Sequence, residues 1–94
     1  MVAPTSDFTG FITDLQAVSG GRALGLIMAE SHADKIVEKY AITVTGTTEI
    51  LGLNGEPVGF EDLEVTQQVK VWFSGPVKES FPMQVDAGRV VISR

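Results

Sequence analysis

One histidine, His32, and no cysteine bound the chemistry that this chain's side chains could perform. A hydrolytic reading would draw a serine nucleophile, His32 as base and Asp34 as orienting acid from the run Ser31-His32-Ala33-Asp34. Neighbours in sequence do not make that geometry, because the imidazole must lie between nucleophile and carboxylate in space. No Gly-x-Ser-x-Gly turn presents a strained serine either. A solvated loop histidine is the preferred reading. Glu30, His32, Asp34 and Glu38 could be imagined around a metal, but a lone histidine without thiolates does not build a closed zinc site. The acids from Glu56 to Glu64 lack the Asp-x-Asp-x-Asp-Gly loop of a calcium site. They read as a solvated acidic face. The expectation is a non-enzyme with no metal and no cofactor.

Aromatic residues offer binding chemistry instead. In Val69-Lys70-Val71-Trp72-Phe73-Ser74 the apolar residues Val69, Val71 and Phe73 alternate with Lys70, Trp72 and Ser74. Strand alternation therefore sends Trp72 outward beside Lys70, where an indole can anchor a ligand or partner. The competing reading covers Trp72 with the loop carrying Pro76, Phe81 and Pro82, as a small second core. Phe81 is either a protruding recognition tip or a plug for one barrel end, and plugging is favoured because an open end would wet the core. Trp72, Phe81 and Lys70 are the candidate binding residues.

The elements that must position them fit one small domain. Ninety-four residues, 44% hydrophobic and 20% charged, suffice for one core. Residues 1–7 read as a flexible lead-in and residues 8–94 as the domain. Twelve acidic residues against seven basic ones give a net charge of −5, and the basic residues are scattered. Nucleic acid and anionic lipid are disfavoured, since both demand clustered cations. No apolar run is long enough to span a bilayer. Met1 to Ser6 lack the basic and apolar regions of a signal peptide, so the protein is either cytosolic or has lost an export signal.

Glycine-rich punctuation separates segments rich in Val, Ile, Thr and aromatics, which is a strand-and-turn pattern. Strands are expected over Phe8 to Val18, bending at Gly10, and over Arg22 to Ala29 after a Gly20-Gly21 turn. Leu24, Leu26 and Met28 would share one face of the second. Ser31 to Lys39 reads as a long connecting loop with at most one helical turn. A third strand starts at Tyr40, Thr48 to Leu53 continues it or adds a short one, and Asn54-Gly55 turns the chain. Glu61 to Glu64 suits one helical turn before the Val69 strand, and Val90 and Ile92 lie on the last. The fold class is all-β, a small five-stranded OB-like barrel with Ile12, Leu26, Ile42, Val44, Val69, Val71, Phe73, Val90 and Ile92 inside. A β-grasp fold is the rival, and requires a real helix over Ser31 to Lys39.

The run from Val69 to Pro82 resembles the hallmark of a YobA-like bacterial family of unknown function, DUF3221. In that pattern a strand ends in Phe-x-Gly-x-Val, here Phe73 to Val77, and a Glu-Ser-aromatic-Pro segment follows, here Glu79 to Pro82. Gly10-Phe11-Ile12-Thr13, Thr43-Val44-Thr45 and Thr48-Glu49-Ile50 fit as well. Thr66-Gln67-Gln68 departs where a glycine is common, and Met83 and Gln84 where a small residue is usual. The resemblance implies a small β-barrel, usually carried behind an export or lipoprotein signal in Gram-positive bacteria. It carries over no catalytic residue.

The sequence thus points to a non-catalytic binding or interaction module of the bacterial cell envelope, with an unspecified protein or small ligand as partner. The alternative is an oligosaccharide- or nucleic-acid-binding OB domain, using aromatic stacking on the barrel face. An unrecognised enzyme is third, and a cytoplasmic location is the alternative to an extracellular or envelope-anchored one.

Overall fold

A computed structural model describes residues 6–18, 21, 23–33, 36–80 and 82–93. Among them the chain forms six strands: β1 (Phe8–Ala17), β2 (Ala23–Ala33), β3 (Ile36–Thr45), β4 (Glu49–Leu51), β5 (Gln68–Phe73) and β6 (Met83–Ile92). A single 3-10 turn, Phe60–Asp62, precedes β5, and no α-helix occurs among the described residues. Antiparallel pairing runs β3-β2-β1-β5-β6, and a parallel β3–β6 pairing from Tyr40↔Met83 to Thr43↔Asp86 closes the ring. The result is a closed five-stranded barrel. The sixth strand, β4, pairs with β6 in parallel beyond the stretch that β3 covers, and it places Ile50 in the core. Closure leaves the barrel strands no free edge over their paired lengths.

The interior is apolar. Ile12, Ile27, Ile42, Val44, Val69, Val71 and Val90 are fully buried, with no buried polar or charged residue among those described. β-Branched residues dominate, as expected where a pleated strand must fill a narrow lumen. Of the residues placed inside from the sequence, Ile12, Ile42, Val44, Val69, Val71, Val90 and Ile92 are there. Phe73 is half-buried at one barrel end, its ring 5.6 Å from that of Tyr40, which in turn lies 4.7 Å from Phe8. Burial, and then the nearby Glu38 carboxylate, raise the Tyr40 hydroxyl pKa above its ordinary value.

Leu26 is a correction. The inner face of β2 is Gly25, Ile27 and Ala29, and Leu24, Leu26 and Met28 face outward. The larger side chains looked like the core set, but the lumen has no room for them at these positions. A Cβ on Gly25 would stand within the Phe60 ring, 2.5 and 2.6 Å from two of its carbons. Phe60 and the buried Leu63 thus plug the barrel toward this end from the 3-10 turn. That is the role anticipated for Phe81, which lies outside the described residues.

Two further expectations change. Residues 34 and 35 lie outside the described residues, but the rest of Ser31 to Lys39 is strand rather than loop: β2 and β3 pair continuously from Ile27↔Ile42 out to Ala33↔Ile36 as a ribbon reaching beyond the barrel. Alternation there is masked by charges, because a two-stranded ribbon in water has no buried face to mark. The face change in β1 comes from a bulge between Ile12 and Asp14, which returns Leu15 to the core side. Gly10 serves otherwise. A Cβ there would strike the Glu30 carbonyl and lie 2.6 Å from the Phe8 ring. β1 passes from β5 to β2 at this point, and only glycine lets the backbones approach so closely.

Candidate functional site

The outer surface of β5, β6 and β4 carries the sequence-derived candidates. Strand alternation sets Trp72 outward and Phe73 inward, and the bulge in this pairing lies on β6, where Gly88 is the extra residue beside Arg89. Trp72 pairs with Arg89 of β6, and Arg89 pairs with Glu49 of β4. These three side chains form a row across the strands. The Arg89 guanidinium lies 5.8 Å from the centre of the Trp72 ring, and its Nε donates to Glu49 Oε1 at 2.6 Å. A cation–π contact of this kind contributes about 0.5–1 kcal/mol at an exposed site and biases the orientation of the indole. Trp72 is half-buried and Lys70 is exposed on the same face, with Val91 beside it on β6. Trp72 is not among the residues packed on the core cluster.

Arg89 and Glu49 were missed in the sequence. Val90 and Ile92 facing inward already imply an outward Arg89, but its meeting with Trp72 depends on the β5–β6 register. His32 sits near the end of β2 rather than in a loop, and is exposed. Its Nε2 lies 3.1 Å from Glu30 Oε1. Asp34, the third member of the hydrolytic reading, lies outside the described residues. Glu30 faces Lys39 at 3.9 Å on the other side, so these charges lace the ribbon together.

A second feature was not legible beforehand. β3–β6 pairing ends at Thr43↔Asp86 and β4–β6 pairing begins at Glu49↔Arg89, so the seam opens between them. The Thr48 hydroxyl bridges the gap, donating to the Ala87 carbonyl at 2.7 Å. Outside it lies a cavity of about 670 Å³ bordered by Ala23, Thr43, Thr45, Thr47, Ser74 and Asp86. A smaller hollow of about 240 Å³ shares Thr43 and Asp86 and extends to Lys78. Ser74 lies two residues beyond Trp72 on the same face of the chain, so groove and aromatic row adjoin.

The comparisons with known proteins bear on which family builds this surface. The family profile described as a protein of unknown function, DUF3221, matches residues 26–92. The chain belongs to the DUF3221 family. No curated protein and no solved structure matches it. The span shared with DUF3221 contains Lys70, Trp72 and Arg89 and every groove residue except Ala23. It leaves out β1, although β1 is a full wall of this DUF3221 barrel.

Proposed function

We propose that this DUF3221 domain is a non-catalytic binding module of the bacterial cell envelope. The observation that carries the reading is the half-buried Trp72, oriented by Arg89 on a rigid outer face beside Lys70. A half-buried indole flanked by cations is the composition of an interface anchor, and a bias toward one orientation lowers the entropy cost of binding. Phe81 joins Trp72 and Lys70 as a proposed contact. The envelope location is supported by the export signals that usually precede domains of the resembled pattern. An OB-type oligosaccharide binder is the second reading, favoured over a nucleic-acid binder by the hydroxyl-lined groove and the net charge of −5.

Co-sedimentation with purified Gram-positive cell walls and membrane vesicles tests this. The folded domain should pellet with one of these fractions, and Trp72→Ala should weaken its retention by about tenfold, as for an interface hot spot. Phe81→Ala and Lys70→Ala should each weaken it less. Retention undiminished by all three substitutions would reject the proposed contacts, and failure of the wild-type domain to bind either fraction would reject the module.

A further inference from the structure

We infer that the groove outside the β3–β6 seam is a binding site for a neutral glycan chain; this rests on the binding-module reading above and names its ligand class. The free polar groups in the groove set the chemistry. Among the described residues nothing donates to the Asp86 carboxylate, nothing bonds the Thr43 hydroxyl, and the Lys78 ammonium has no ion pair. Asp86 and Thr43 stand opposite each other across the parallel pair and border both hollows. A carboxylate only accepts, an ammonium only donates, and a hydroxyl does both. A ligand satisfying all three must offer both a donor and an acceptor within the short reach of the groove. Vicinal hydroxyl groups do that.

Other ligand classes fit less well. No described aromatic or large aliphatic side chain lines the main cavity, so an apolar ligand would gain little by entering. A polyanion, including single-stranded nucleic acid, would meet Asp86 on a domain of net charge −5. A simple cation would leave Lys78 opposed and the threonines idle. The Thr45, Thr47 and Thr48 hydroxyls are engaged with one another and with backbone in the turn after β3, which fixes the rim of the groove and leaves Thr43, Asp86 and Lys78 to meet the ligand. The cavity, at about 670 Å³, falls in the size range of small-ligand sites.

Backbone amide NMR titration with cellohexaose, maltohexaose and N-acetylated chitohexaose tests the inference. At least one should shift the amides of Thr43, Thr45, Thr47, Ser74 and Asp86 together, with a dissociation constant on the order of 1 mM or tighter. Asp86→Ala and Thr43→Val, both on the outer face, should leave the melting temperature nearly unchanged; the first should weaken binding by about tenfold, the worth of one charge-assisted hydrogen bond, and the second by about threefold to tenfold, that of a neutral one. Shifts confined to Lys70, Trp72 and Arg89 would overturn the groove assignment while leaving the binding module standing. Silence with all three sugars, or tighter binding to oligothymidylate, would overturn it as well. Cell-wall retention lost in Trp72→Ala but intact in Asp86→Ala and Thr43→Val separates the two failures.

Discussion

Replacing Gly25 by alanine should destabilise the barrel although alanine is the better strand residue. In a strand, glycine costs roughly 0.5–1 kcal/mol relative to alanine through backbone entropy, so an unobstructed substitution should help. Here the new methyl meets the Phe60 ring at 2.5 and 2.6 Å. The ring is packed against the core cluster beside the buried Leu63, so moving it aside gives up part of that packing. Overpacking of this kind costs typically 1–3 kcal/mol, and the net loss expected is about 1–2 kcal/mol. For a domain of this size that lowers the melting temperature by roughly 5–15 °C. Urea unfolding followed by the fluorescence of the single tryptophan measures it, with the slope unchanged if compactness is unaltered. Gly46→Ala is the control, since its methyl would have nothing within 4 Å, and it should stay within about ±0.5 kcal/mol. In the double variant Gly25→Ala with Phe60→Ala the methyl occupies vacated space, so the two costs should fall short of additive by about 1 kcal/mol or more. A Gly25→Ala protein as stable as wild type would show that Phe60 does not plug the barrel.

Trp72→Ala should cost about 1–2 kcal/mol, less than a core aromatic, and iodide should quench the wild-type fluorescence in part. Complete shielding from iodide with a much larger loss would place the indole in the core. Glu49→Gln should cost less than about 1 kcal/mol, because both partners are about half exposed, and the difference should shrink as salt is added. Tyr40 should make the barrel sensitive to alkali. Its folded pKa lies above the unfolded value of 10.0, so the folded state holds the proton more tightly and stability falls as pH rises from about 10 through the folded pKa. Melting curves across that range should show a decline that Tyr40→Phe lacks, and absorbance titration of the single tyrosine reports the shifted ionisation directly.

Alternation made the outward Trp72 and Lys70, and the inward Val69, Val71, Ile42 and Val44, readable from the chain alone. These strands pair on both sides and have one wet face, so the period of two survives in the residue types. β2 misled because its inner positions are Gly25, Ile27 and Ala29, sized by the Phe60 plug and the Gly10 crossing rather than by hydrophobicity. The ribbon beyond Glu30 misled because neither of its faces is buried, so the charges of His32, Glu38 and Lys39 looked like a loop. The groove was invisible for another reason. Thr43 and Asp86 are ordinary strand residues until a parallel register between the middle and the end of the chain sets them side by side.

That same register governs the order of events when the barrel assembles. β1, β2 and β3 join through neighbouring hairpins, and β5 and β6 through another, so most of the pairing closes short loops. The parallel pairing of β3 with β6 must bring together distant parts of the chain and yields only four residue pairs in return. The pairing of β1 with β5, from Phe8↔Val71 to Phe11↔Gln68, carries the same burden, so the ring closes through two steps that neighbouring turns do not assist. The groove straddles the β3–β6 closure and exists only once it has formed. A ligand lodged there would act as a clasp, slowing unfolding far more than it speeds folding, and protease resistance would report its presence.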